Sequence, residues 1–143
     1  MKVYKFLPPY TPEGKTTFPD TRDHAGVYII KEDGKIVYVG YSSYSIYKTM
    51  YRHFQSWHHS QQRVISYAGK RHRYTVRPIL CTDKQAYALE KRLIKKYHPR
   101  DNEITYEAML LDQSPTQSKY AIQVEEDYFA AAKSACNVED SPF

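Results

Sequence analysis

Glu90 is the residue of this chain whose position most needs an explanation. It lies within an apolar stripe of Ala86, Leu89, Leu93, Ile94 and Tyr97, spaced three and four apart as on one face of a helix. A carboxylate there is costly unless it snorkels to the stripe's edge, pairs with a cation, accepts hydrogen bonds or binds a metal. A metal held this way would be a hard divalent cation, which takes one carboxylate and fills its other positions with water and phosphate oxygens. A second group is formed by Tyr28 and Tyr38, each in a short β-branched and aromatic run, with Gly26 and Gly40 flanking them. Cross-strand aromatic pairs stabilise hairpins unaided. The glycines weaken strands, and they suggest close approach by another backbone or a ligand. Arg52 and His53 form a third group. An adjacent Arg and His on a helix are commonly a surface feature, yet Arg can grip a phosphate bidentately and His can shuttle a proton.

The elements that must position these groups follow from pattern. Residues 1–24 carry Pro8, Pro9, Pro12 and Pro19 and read as an irregular lead-in with a short possible strand, Val3 to Leu7. GVYII, KEDGK and IVYVG then form a hairpin. A three-residue loop, Glu32-Asp33-Gly34 with Gly34 as a bulge, would pair Tyr28 with Tyr38 and Gly26 with Gly40. It would also gather Val27, Ile29, Val37 and Val39 on one aliphatic face. A helix is expected from Ser42 to Trp57, capped by Ser43 or Ser45, with Ile46, Met50 and Phe54 buried. After an irregular run, Tyr74 to Leu80 reads as a third strand, placed at an edge or bulged because of Pro78. Thr82 and Gln85 make a capping box for a second helix that runs to about Tyr97 and is stopped by Pro99. The expected fold is α+β: a small three-stranded antiparallel sheet flanked by helices, in the order β-β-α-β-α, with a short C-terminal helix around Tyr128 to Ala135. The chain divides into a lead-in (1–24), a core (25–102) and an acidic extension (103–143).

Composition narrows the partners. The 143 residues are 41% hydrophobic and 26% charged, ordinary for one globular domain. No apolar run reaches the length of about 18 residues that a membrane span needs. The first residues show no secretion signal, and Cys81 and Cys136 lack the spacing of a zinc site or a disulfide framework, so a reducing cytoplasm is the expected location. The net charge is +5 and unevenly spread. Gly34 to Thr82 holds no Asp or Glu, but holds Lys35, Lys48, Arg52, Arg63, Lys70, Arg71, Arg73 and Arg77; beyond Asn102 the balance turns acidic. Such a body attracts a polyanion, and fifteen tyrosines add rings that suit bases and backbone alike. The acidic extension could fold over the basic face and compete with that partner.

Gly26-Val27-Tyr28 and Tyr38-Val39-Gly40 together resemble the paired signature of the GIY-YIG nucleases. Tyr51-Arg52-His53-Phe54 is similar to that family's first-helix segment, Leu89 to Ile94 to its metal-binding Glu helix, and Pro99 to Asn102 to its downstream Pro and Asn. The resemblance implies hydrolysis of a nucleic-acid phosphodiester, DNA in preference to RNA, with one Mg²⁺ or Mn²⁺ ion on Glu90. It implies that Tyr28, with Tyr38 beside it, deprotonates or orients water, and that nearby cations lower its pKa. Arg52 would clamp the phosphate, His53 would shuttle a proton or contact the backbone, and Asn102 would position Glu90 or a strand oxygen. Lys48, Arg63, Arg71 and Arg73 are the expected nucleic-acid contacts. The chain departs from the family where a helical Arg is expected four residues before the His: Thr49 stands there. The same fold without catalysis, as a nucleic-acid-binding module, is the alternative.

Overall fold

The computed structural model describes residues 1–55, 65–102 and 119–134, the side chains of 119–122 excepted. Its elements are β1 (Lys2–Val3), β2 (Gly26–Glu32), β3 (Lys35–Ser42), α1 (Ile46–Arg52), β4 (Tyr74–Leu80), α2 (Asp83–Tyr97) and α3 (Lys119–Lys133). The α+β class is as expected, but the antiparallel sheet has four strands, in the order β1-β4-β2-β3. The extra strand is the short N-terminal pairing of Lys2 with Leu80 and Val3 with Ile79. It makes β4 an inner strand rather than an edge. Pro78 is tolerated because its carbonyl accepts from Tyr4 N–H on the β1 side, where regular pairing stops at Val3 and resumes only as an isolated bridge from Leu7 to Val76. The N–H that proline lacks therefore falls at the gap.

The hairpin register differs from the sequence expectation in an instructive way. Asp33 and Gly34 both have positive φ, 51° and 85°, so the loop is the two-residue turn that Asp-Gly favours. The odd residue sits in β3 as a bulge: Lys31 pairs with Ile36, and Ile30 already with Tyr38. Val37 is left over and turns toward the Tyr28 face, away from Val27, Ile29 and Val39. Tyr28 now lies opposite Gly40, and Gly26 opposite Ser42. Both glycines are required by packing. A Cβ on Gly40 would fall inside the Tyr28 ring, and one on Gly26 would overlap the Ile79 carbonyl and press on Ile46 Cδ1.

One sheet face carries Tyr28, Ile30, Val37 and Val76 under α1; the other carries Val27, Ile29, Val39 and Ile79 under α2 and α3. Helix α1 is shorter than expected. Ser45 caps it by accepting from Lys48 N–H, and Ser42 Oγ accepts from Ser45 N–H to fix the entry. It closes at Arg52 with His53 and Phe54 in the following turn; Trp57 lies outside the described residues. Helix α2 has the expected capping box, and His98 ends it in the left-handed conformation before Pro99. At the hairpin's far end Glu32 accepts from the Tyr74 hydroxyl at 2.5 Å and from Arg100 at 3.1 Å, and these partners pull its carboxyl down to about 2. No helix among the described residues is long and apolar enough to cross a membrane.

Helix α3 begins earlier than expected, at Lys119, because Val124 and Tyr128 share one face at helical spacing and both are buried against α2 and the sheet. Glu125 binds Arg92 at 2.6 Å and approaches Lys96 at 4.0 Å. The acidic helix thus braces the back of α2 instead of lying over the Tyr28 face. Truncating Tyr128 to Ala should lower the free energy of unfolding by about 3 kcal/mol, as large-to-small core changes do. Nucleic-acid affinity should stay unchanged; urea titration and a gel shift on the same variant read both quantities.

Candidate active site

The bulge at Val37 brings the first two candidates together. Tyr28 and Tyr38 stack with ring centroids 6.0 Å apart on the face covered by α1. His53, at the end of α1 and fully buried, packs 4.6 Å from the Tyr38 ring and 5.6 Å from that of Tyr28. Its hydrogen bonds define its tautomer. Nδ1 lies 2.7 Å from the Ile65 carbonyl, which can only accept, so Nδ1 carries the proton. Nε2 is then a bare acceptor, and the Tyr28 hydroxyl donates to it at 2.9 Å. The sequence reading named His53 and Tyr28 as candidates but not Ile65 or Tyr67. Tyr67 N–H donates to the His53 carbonyl at 2.6 Å, its ring stacks on the imidazole, and its hydroxyl donates to Asp101. Both residues belong to an irregular segment with no periodicity to read.

Burial sets the electrostatics here. It holds Tyr28 well above the ordinary tyrosine value, with Tyr38 and then Glu90 adding to the effect and a Thr49 hydroxyl interaction opposing it. This overturns the expectation that neighbouring cations lower the Tyr28 pKa, because desolvation of the phenolate dominates. His53 moves the other way, down to about 4, chiefly through burial; the Ile65 hydrogen bond opposes that and Arg52 reinforces it. At neutral pH the pair is therefore a neutral phenol donating to a neutral imidazole.

Glu90 enters from α2, across the outer strand β3. Burial leads in raising Tyr28 and Tyr38, and the hydrogen bond to Asp83 leads for Tyr41; the Glu90 charge adds to all three, so the carboxylate is within electrostatic reach of each phenol. Burial lifts Glu90 itself to about 7, with Lys91 pulling it back. Among the described residues nothing hydrogen-bonds or ion-pairs its carboxylate, and no cluster of three or more His, Cys, Asp or Glu side chains could hold a metal. Glu90 is thus the residue that could hold a hard cation, as a single protein ligand. Asn102, almost completely buried, bonds to strand β3. Its Oδ1 accepts from Val39 N–H at 2.6 Å and its Nδ2 donates to Val39 C=O at 2.9 Å, so one side chain closes the β3 edge at that residue.

The cationic candidates separate. Thr49 sits beside Tyr28, and its hydroxyl donates to the Ser45 and Ile46 carbonyls of its own helix. Arg52 is close enough to His53 to influence its pKa. Lys48 is exposed, with its ammonium 5.8 Å from the Tyr44 ring centroid. Arg71 donates to the Phe54 carbonyl and lies over Tyr10, while Arg73 pairs with Asp33 and Glu32 at the hairpin's far end. Arg63 lies outside the described residues.

The His53 shift has a stability consequence. A group with a folded pKa near 4 and an unfolded value near 6.5 binds fewer protons folded than unfolded between those values. Its contribution is complete above about pH 6.5 and is lost as pH falls toward 4, amounting to roughly 3 kcal/mol. NMR titration should find one imidazole still neutral at pH 5, and urea midpoints should fall across the same window.

No curated protein and no solved structure matches the chain. A family match does exist, and it encloses every residue of the Tyr28–Tyr38–His53–Glu90–Asn102 arrangement: over residues 24–103, more than half of its length, the chain matches the UvrC-like GIY-YIG domain, and it belongs to this family of nucleases.

Proposed function

We propose that the protein is a metal-dependent endonuclease that hydrolyses DNA phosphodiester bonds at the Tyr28–Tyr38–His53–Glu90 site. The observation that carries this reading is the directed hydrogen bond from Tyr28 to a histidine whose other nitrogen is already committed to a backbone carbonyl. That arrangement can move a proton one way. Water bound at the Tyr28 oxygen gives it a proton as the phenolic proton passes to His53 Nε2. The water oxygen forms the new bond to phosphorus, and the bond to the departing sugar oxygen breaks with its electron pair on that oxygen. Tyr28 need not ionise, which matters because its phenolate is strongly disfavoured. The negative charge of an incoming phosphodiester stabilises the imidazolium and raises the low pKa of His53.

Glu90 would hold the metal. A half-buried carboxylate without a hydrogen-bond partner among the described residues suits Mg²⁺ or Mn²⁺, which tolerate a single protein carboxylate with water and phosphate completing the shell. Bound there, the ion supplies positive charge against the phosphoryl oxygens as negative charge develops on them. Arg52, at the end of α1 next to His53, would add a cation at the phosphate. Asn102 keeps β3, and so Tyr38, in register. Glu90→Ala should abolish nicking of supercoiled plasmid in Mg²⁺ or Mn²⁺ while leaving a gel shift largely intact. Equal loss of binding and cleavage would count against the assignment.

One observation favours the second reading, a nucleic-acid-binding module without cleavage. The helix position beside Tyr28 offers a Thr hydroxyl bonded to its own backbone, where the family pattern has a cation. Thr49→Arg separates the two. If the site lacks charge stabilisation, the substitution should raise the plasmid-nicking rate about tenfold or more. An unchanged rate would mean that Arg52 or Lys48 already supplies the cation.

A further inference from the structure

Two exposed tyrosines stand on the segments that carry site residues: Tyr44 immediately before Ser45, the cap of α1, and Tyr87 on α2. On the α1 side Tyr44 is 56% exposed, with Lys48 Nζ above its ring. On the α2 side Tyr87, one turn before Glu90, is 51% exposed, with Lys91 Nζ 4.1 Å from its centroid. Tyr87 is also held in place. The Tyr41 ring packs edge-on against it at 5.9 Å, and the Tyr41 hydroxyl donates to Asp83. Each of the two tyrosines thus pairs an open ring with an ammonium group.

A single exposed tyrosine on a protein surface needs no explanation. Two of them, one at the entry of the helix that leads to His53 and one a turn before Glu90, each with a cation beside it, match what a strand of nucleic acid presents: flat bases with a charge on every linkage. Stacking on a ring requires a base whose own face is free, and in an intact duplex the faces are covered by neighbouring bases. A duplex could use Lys48 and Lys91 but would leave the rings idle. The lock on Tyr87 by Tyr41 and Asp83 reduces the ordering cost of binding, as preorganised contacts do.

We propose that Tyr44 and Tyr87 are stacking platforms for unpaired nucleotides on either side of the scissile phosphate, with Lys48 and Lys91 on the adjoining phosphates, so that the preferred substrate is DNA with an unpaired segment at the cut. The inference rests on the nuclease reading for its site but not for its binding chemistry. Binding is therefore measured without cleavage, by fluorescence anisotropy in EDTA. The probes are an end-labelled 20-nucleotide strand, its blunt duplex, and the same duplex with a short central bubble. Single strand and bubble should bind more tightly than duplex. Tyr44→Ala with Tyr87→Ala should weaken both by about tenfold or more, with duplex binding nearly unchanged, and the double Phe variant should retain the preference. Equal affinity of all three probes for the wild type would overturn the proposal, as would an Ala pair that binds them unchanged. Plasmid nicking is scored in parallel. A ring-dependent preference without nicking in Mg²⁺ would sink the nuclease reading alone; nicking without any such preference would sink only this one.

Discussion

The hydrogen bond from Tyr28 to His53 is the interaction around which this fold is arranged. Two polar groups are buried among aromatic rings, and each must be satisfied in place, because an unpaired polar group there would cost more than the bond itself contributes. The phenol can reach the imidazole only because Gly40, across the strand pair, has no Cβ where the Tyr28 ring lies. The imidazole can accept only because the Ile65 carbonyl holds its other nitrogen protonated. Helix α1 must end where it does so that His53 lies on its last turn, facing the sheet. Gly26 makes that possible by letting Ile46 and the Ile79 carbonyl close on β2. The glycines that looked like openings for a ligand are therefore clearances for the core, and the site is a by-product of how tightly that core closes.

The same argument says what could be read in advance. Glu90 was legible because a carboxylate in a helical apolar stripe is an anomaly in a strong pattern. The capping box and strand β4 were legible because their signals are local. The hairpin register was not. Two loops of similar merit lay one residue apart, and the choice was decided by a bulge three residues from the turn, where Val37 leaves one face for the other. The expected loop placed Tyr28 and Tyr38 side by side for the wrong reason: they share a face through the bulge, on a diagonal. β1 was legible only as a possible strand over Val3 to Leu7 and its place in the sheet was not, because two paired residues carry no periodicity; the roles of Ile65 and Tyr67 were not legible because they depend on tertiary contact alone.

Electrostatics separates the charged residues more sharply than composition does. The basic run from Gly34 to Thr82 looks uniform in the sequence, yet its members do different work. Arg71 terminates the α1 turn at Phe54, and Arg73 joins Lys70 and Arg100 in neutralising Glu32. These cations hold the end of the hairpin away from Tyr28. Lys48 lies by the Tyr44 ring, Lys91 by the Tyr87 ring, and Arg52 next to His53. Charge on a protein's surface gives an on-rate for a polyanion, while catalysis needs charge within a few ångströms of the phosphate, where one cation is worth on the order of 4 kcal/mol at an effective dielectric of 20. With Thr49 neutral, the proposed cleavage would draw that charge from Arg52 and from an ion at Glu90.

Strand β3 shows how one element can serve stability and access together. It is the outer strand of the sheet, and an outer strand with open backbone groups invites unwanted pairing. Asn102 removes that liability at Val39 with a single amide that satisfies both backbone groups. It occupies one residue's length of the edge and leaves the neighbouring positions, Tyr38 and Tyr41, for the site. A covering strand would have closed the edge more completely and blocked the approach of Glu90 from α2 toward the tyrosines. A side-chain cap is the smaller solution, and it explains why a buried Asn stands against an outer strand that has to be both fixed and reachable.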